Sequence, residues 1–134
     1  MTWLVALFLL AHGLIHASYV SPRPPATTGG PAWPFELTRS WILSPLGLDG
    51  DTGRIVGIVL VAITVVGFGL AALAALGIAE QTMFVPAVVA GSVASLALLV
   101  LFFHPWLVIG IGIDLVLLWA VAVARWTPSG GFPG

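Results

Sequence analysis

The stretch RIVGIVLVAITVVGFGLAALAALGIA, residues 54–79, decides the fold class of this protein. After Arg54 it continues to Ala79 without a charged side chain, and a helix that crosses a bilayer needs about 20 apolar residues. Of the 134 residues in the chain, 60% are hydrophobic and only 7% are charged, and the mean hydropathy is +1.15. A soluble domain carries roughly a quarter charged residues. We therefore predict an all-α integral membrane protein.

Three more apolar segments of similar character accompany this one. For the first segment, a retained helix is favoured over a secretory signal peptide because the leading MTW has no positively charged side chain. The third and fourth are separated by HPW, residues 104–106, where the residue before proline resists the helical region. The predicted architecture is one membrane domain, an antiparallel four-helix bundle. Its helices cover about 2–20, 53–79, 84–103 and 105–125, and a tail follows at 126–134.

The longest polar connection, residues 21–52, is rich in proline and glycine. Within it, WPFELTRSWIL at 33–43 predicts a short helix, because Pro34 suits a first helical position. Glu36 in the first turn and Arg39 nearer the end complement the helix dipole. Indole rings favour the lipid headgroup region, and tryptophans lie at both ends of this stretch. We predict an interfacial helix that covers one end of the bundle.

Charge and sulfur content exclude several classes of function. The four basic residues are scattered arginines, and without a basic run we expect no nucleic-acid partner. The chain contains no cysteine, which excludes disulfides, thiolate nucleophiles and iron–sulfur ligation by this chain. Abundant alanine, glycine and valine, with arginine in place of lysine, are typical of a GC-rich bacterial genome. The predicted location is the bacterial inner (cytoplasmic) membrane.

The arginines also predict an orientation. In an antiparallel bundle both termini lie on one side, and the 21–52 loop and HPW lie on the other, called the loop side below. Arg23, Arg39 and Arg54 belong to the loop side, whereas Arg125 lies opposite. Because cytoplasmic loops carry an excess of basic residues, the loop side is predicted to be cytoplasmic.

Two histidines interrupt the first segment, in LLAHGLIHASY at 9–19. His12 and His16 are four residues apart and therefore share one helix face. At about 1.5 Å per residue, His12 lies about 12 Å from the loop-side end of its helix, and Asp114 about 14 Å from its own. An ionised Asp at this depth costs at least a few kcal/mol, so it should face the bundle interior and pair with His12. The other predicted pocket residues in this layer are Thr64, Ser92 and Ser95.

A mouth for this pocket is predicted on the loop side, from Tyr19, Glu36, Arg39, Arg54 and His104. For His104 we favour an interfacial cap at the helix junction. A structural interpretation competes for the pocket as well, because His, Ser and Thr in membrane helices often only link helices, at about 0.6 kcal/mol per hydrogen bond. For Asp114 we favour function, since an uncharged amide would serve a structural role at lower cost.

The pocket is compatible with several functions. We favour a non-enzymatic role, either binding of a ligand or an ion or service as an accessory subunit of a membrane complex. The first alternative is a redox protein that holds a transition metal through His12, His16, Asp114 and His104, or, less favoured, a haem with opposed axial histidines. The second is translocation of protons or small solutes by an oligomer, because imidazole titrates near neutral pH. An enzyme is not favoured, since no nucleophile motif is present.

Small residues favour close contacts between helices. Ala87, Gly91 and Ser95 recur at every fourth position of the third segment, and such rows let helix backbones approach closely in lipid. This pattern suits packing within the bundle, a homo-oligomer or an accessory subunit of a larger membrane complex. The expected partners are therefore the lipid bilayer and other membrane helices.

Overall fold

The computed structural model describes residues 1–26, 28–48 and 50–130. Within these ranges the regular structure is helical and no β-strand is present, which confirms the all-helical prediction. The α-helices are α1 (Thr2–Ile15), α2 (Asp51–Ala75), α3 (Phe84–Leu101) and α4 (Val108–Leu118). They are extended by 3₁₀ turns at His16–Tyr19, Gln81–Met83 and Pro105–Leu107 and by a π-helical turn at Trp119–Val123.

The four helical stretches, including these extensions, are each long and apolar enough to span a membrane: Thr2–Tyr19, Asp51–Ala75, Gln81–Leu101 and Pro105–Val123. Many of their large apolar side chains remain exposed after the helices have packed together. Leu7, Val66 and Val116, on three different helices, are each at least 60% exposed. The outer surface of the bundle therefore carries large apolar side chains on several helices.

Helix α2 ends at Ala75, before the predicted end at 79. Gly77 adopts a left-handed backbone conformation with φ +73°, which glycine accepts without a steric penalty. The Ile78 N–H donates to the Leu73 carbonyl at 2.9 Å, and the Gly77 N–H donates to the Ala74 carbonyl at 3.0 Å. This pair of bonds is the Schellman arrangement that closes a helix C-terminus. The glycine therefore sets the end of α2.

Helices α2 and α3 form the tightest contact of the bundle. A Cβ atom placed on Gly67 would lie 2.8 Å from both the Cα and the N of Gly91, so the two backbones touch directly. Phe68, which is fully buried, packs beside this contact. The row of small residues on the third segment thus faces α2 at Gly91.

The predicted interfacial helix at 33–43 is absent, and this prediction was wrong: the segment is irregular and leads into a 3₁₀ turn at Ser44–Leu46. The Ser40 hydroxyl donates to the Leu101 carbonyl and the Trp41 indole donates to the Val100 carbonyl, both at 2.6 Å. These carbonyls belong to the last turn of α3, where no helical N–H follows to bond them. Tertiary bonds to α3 therefore take the place of a local helix.

Local bonding in the same segment also competes with helix formation. The Glu36 carboxylate accepts from the Thr38 N–H at 3.2 Å and from its hydroxyl at 2.8 Å, a turn that replaces helical backbone bonds. Leu37, between them, is buried against Gly57 of α2. The segment thus packs across the first turns of α2 and the last turn of α3.

Helix α4 packs mainly on α3 and has few backbone neighbours in α1. Only 17% of its most apolar stretch is buried, against 50% for α3. At its end, Trp126 packs edge-on against Phe84 with ring centroids 6.1 Å apart, so the tail begins in contact with the bundle. The last four residues of the predicted tail, 131–134, lie outside the described residues.

Candidate functional site

The predicted partners His12 and Asp114 lie side by side in the bundle. His12 Nε2 is 2.9 Å from Asp114 Oδ1, and the side chains are 5% and 0% exposed. The bond joins α1 to α4. These two helices otherwise have few backbone contacts with each other. A carboxylate that is buried this deeply needs a partner, since leaving it unpaired costs several kcal/mol.

Two further side chains complete the cluster. His16, which begins the 3₁₀ turn after α1, donates from Nδ1 to the backbone carbonyl of His12 at 2.9 Å. Its Nε2 lies 2.8 Å from the hydroxyl of Ser95 on α3, and that hydroxyl also donates to Asp114 Oδ2. His12, His16, Ser95 and Asp114, called the His/Ser/Asp cluster below, therefore link three helices through buried polar atoms.

The Ser95 hydroxyl lies between Asp114 Oδ2 and His16 Nε2 and links the two side chains. It has a single proton, so only one of these two contacts can use that proton.

Aromatic rings enclose the imidazole of His12. Phe8 stacks parallel to it with ring centroids 6.1 Å apart, and Phe68 approaches edge-on at 5.0 Å. The His16 ring lies at 5.2 Å. Water is thus kept away from the cluster, which strengthens the electrostatic part of each hydrogen bond. The two phenylalanines were not predicted as site residues, because an apolar residue in an apolar segment carries no distinguishing signal.

Thr64 and Ser92, also predicted as pocket residues, are fully buried but do not join the cluster. Within the described ranges neither hydroxyl has a hydrogen-bond partner. Counting residues along a helix gives the depth of a side chain but not the direction in which it points. Ser92 and Ser95, on neighbouring turns of α3, thus differ in bonding although both are fully buried.

The predicted mouth residues separate into two groups. Tyr19, Glu36 and Arg54 line a cavity of about 350 Å³ at the loop-side end of the bundle. Arg39 is exposed, and neither it nor His104 is among the residues that line this cavity. His104 instead accepts from the Trp106 N–H at 3.3 Å and caps the turn before α4, the role favoured for it from the sequence.

The cluster contains a possible metal-binding group. Potential ligand atoms of His12, His16 and Asp114 all lie within 4.8 Å of one another. Because the Nδ1 of His16 bonds a backbone carbonyl, its Nε2 is the atom that is directed inward. An outer hydrogen bond of this kind commonly orients metal-binding histidines. His104 does not belong to this group.

The same geometry disfavours a haem. The Nε2 atoms of His12 and His16 are both at hydrogen-bond distance from neighbouring side chains, and the His12 ring packs between aromatic rings. A haem plane would have to displace Ser95 and Asp114 before it could reach either nitrogen. The residues present therefore fit a single ion better than a macrocycle.

Comparison with known proteins identifies no relative. No protein-family model, no curated protein and no solved structure matches this chain significantly.

Proposed function

We propose that the protein is an integral membrane protein whose four apolar helices cross the bilayer as an antiparallel bundle. The length of the helices and their exposed apolar side chains support this proposal. From the distribution of arginines, the loop side faces the cytoplasm of a bacterial cell and the bundle lies in the inner membrane. The sparse burial of α4 leaves room for a partner helix, from a second copy or from a larger complex.

We further propose that the protein binds a transition-metal ion at His12, His16 and Asp114, without enzymatic activity. The observation that carries this proposal is the convergence of two imidazoles and one carboxylate within 4.8 Å. Imidazole and carboxylate are ligands of zinc, copper, iron and nickel in proteins. Bonded ligand atoms lie about 2.1 Å from the ion, so the group needs only a small inward adjustment.

The alternative role of this cluster is that of a purely structural link between helices. Hydrogen bonds between membrane helices contribute about 0.6 kcal/mol each on average. A buried aspartate is an expensive way to obtain so small a contribution, because a charged side chain at mid-membrane costs at least a few kcal/mol. A bound ion would give the aspartate a function that an amide could not replace.

The test uses the full chain in mild detergent, exposed to Zn²⁺ or Cu²⁺ and then exchanged into metal-free buffer. Elemental analysis is expected to find about one metal ion per chain in the wild type. The double variant His12→Ala/His16→Ala should lose the ion. His104→Ala is the matched control, because His104 lies outside the cluster, and it should retain the ion.

Two results would contradict metal binding. One is a folded wild-type protein that retains no metal. The other is an equal loss of metal in His104→Ala, which would indicate surface binding. If the double variant does not fold, Asp114→Asn replaces it, because an amide still forms hydrogen bonds but is a poor metal ligand. Metal retention unchanged in Asp114→Asn would exclude Asp114 from the site.

A further inference from the structure

The cavity of about 350 Å³ at the loop-side end is separate from the His/Ser/Asp cluster. It lies where the end of the first helical stretch, the start of α2 and the irregular loop meet. Tyr19 and Arg54 line it from the helices, and Trp33 and Glu36 line it from the loop. Its volume is within the range of small-molecule sites, about 300–1,000 Å³. In a membrane-spanning bundle, helix ends lie at the level of the lipid headgroups.

The charges of this cavity favour an anion. Arg23 and Arg54 contribute two guanidinium groups, and Glu36 contributes one carboxylate. Glu36 pairs with Arg23 and also accepts two hydrogen bonds from Thr38. Arg23 and Thr38 therefore neutralise the carboxylate. Among the residues that the structure describes, two arginines and one glutamate line the cavity, which leaves Arg54 as the arginine without an ion pair there. Guanidinium groups bind phosphate through paired hydrogen bonds.

Three other residues of the lining are aromatic: Tyr19, Trp33 and Phe35. The Tyr19 ring packs edge-on against Phe35 at 5.2 Å, and Trp33 packs against Phe35 at 5.4 Å. The Tyr19 hydroxyl is buried and has no hydrogen-bond partner within the described ranges. The cavity thus combines two guanidinium groups with an apolar wall. This combination suits a molecule that has an anionic group attached to a hydrocarbon part.

From these observations we propose that the cavity binds the phosphodiester headgroup of an anionic membrane lipid. The proposal rests on the membrane insertion proposed above but is independent of metal binding. Arg54 is exposed at the start of α2 and binds the headgroup from the helix side, while Arg23 keeps the Glu36 carboxylate paired. The cytoplasmic leaflet, where the loop side is placed, is the leaflet that carries a negative surface potential.

The test measures lipid binding by the full chain with native mass spectrometry. Protein in detergent is mixed with phosphatidylglycerol, with phosphatidylcholine or with free glycerol phosphate. The wild type should retain one phosphatidylglycerol molecule in preference to the other two compounds. Arg54→Gln should reduce this retention about tenfold, as the loss of a charge-assisted hydrogen bond implies, whereas Arg54→Lys should reduce it less. The matched control is Arg39→Gln, on an exposed loop arginine that does not line the cavity.

Each other outcome overturns a defined part of the proposal. Two results would mean that the arginines of the cavity do not select the lipid. One is equal binding of phosphatidylcholine, and the other is an equal loss of phosphatidylglycerol retention in Arg39→Gln. Equal retention of glycerol phosphate would indicate a soluble phosphate ligand instead of a lipid. Reconstituted vesicles are washed with alkaline carbonate in parallel. Protein that this wash releases is not inserted in the membrane, and that result would overturn both the proposed insertion and the lipid site. Metal binding is tested separately by elemental analysis.

Discussion

Two helix interfaces of this bundle are built in opposite ways. Between α2 and α3, glycine backbones touch at Gly67 and Gly91. Between α1 and α4, few backbone atoms approach each other, and the bond from His12 to Asp114 spans the gap. In the membrane location proposed above, burial of apolar area cannot drive helix association. The two interfaces therefore represent the two remaining means of joining helices, close packing and buried polar bonds.

The two interfaces also differ in how many atoms hold them. Half of the most apolar stretch of α3 is buried, but only 17% of that of α4. Helix α4 is held mainly by its packing on α3, and its direct link to α1 is the bond from His12 to Asp114. We expect the packed interface to be sensitive to added volume and the polar interface to be sensitive to lost hydrogen-bond partners.

The largest effect is expected from Gly67→Leu. A Cβ at this position meets backbone atoms of Gly91 at 2.8 Å, so no side-chain rearrangement can make room. We expect the free energy of unfolding to fall by more than about 4 kcal/mol, a loss typical of severe core disruption. The variant should no longer yield monodisperse protein in detergent. Gly69→Leu is the control, because a Cβ on Gly69 has open space around it. Equal yields of the two variants would mean that α2 and α3 are not in backbone contact.

A smaller loss is expected from Asp114→Ala, which tests the polar interface. The change removes the acceptor of both His12 and Ser95, and leaving a buried donor unsatisfied costs about 1–3 kcal/mol. Unfolding by titration with a denaturing detergent should therefore begin earlier. Asp114→Asn should cost less, since the amide keeps one oxygen acceptor. If alanine and asparagine behave alike, hydrogen bonding at this position contributes nothing to stability.

The smallest effect distinguishes two buried serines on α3. Ser95→Ala removes the hydroxyl between His16 and Asp114 and should cost about 1 kcal/mol. Ser92→Ala removes a hydroxyl for which the described ranges provide no partner, so it should be neutral or slightly stabilising. The same unfolding titration measures both. The reverse order of stability would place the functional hydroxyl at position 92.

The sequence allowed prediction of the features that depend on one segment at a time. The apolar run at 54–79 predicts a long apolar helix, which α2 confirms as far as Ala75. Counting residues from the segment ends predicts His12 and Asp114 at matching depth, and the structure places them 2.9 Å apart. Length and rise per residue are sufficient for the helix and for the two depths, whereas the pairing also rests on the cost of leaving a buried aspartate without a partner.

The contacts of the irregular loop could not be predicted in this way. The tryptophans and charges at 33–43 favour a helix, but the bonds of Ser40 and Trp41 reach carbonyls on α3. Arg23 entered the sequence argument only as a charge for orientation, whereas the structure pairs it with Glu36 in a cavity. No spacing within the sequence indicates either contact.

The contact between Gly67 and Gly91 also has a consequence for genetics. Where a substitution collides with a neighbouring side chain, a second mutation that shortens that neighbour can restore function. At Gly67 the obstacle is the backbone of Gly91, and glycine is already the smallest residue. A selection for suppressors of a defective Gly67 variant should therefore yield no change at position 91, and only reversion or distant substitutions that move the helices apart should be recovered.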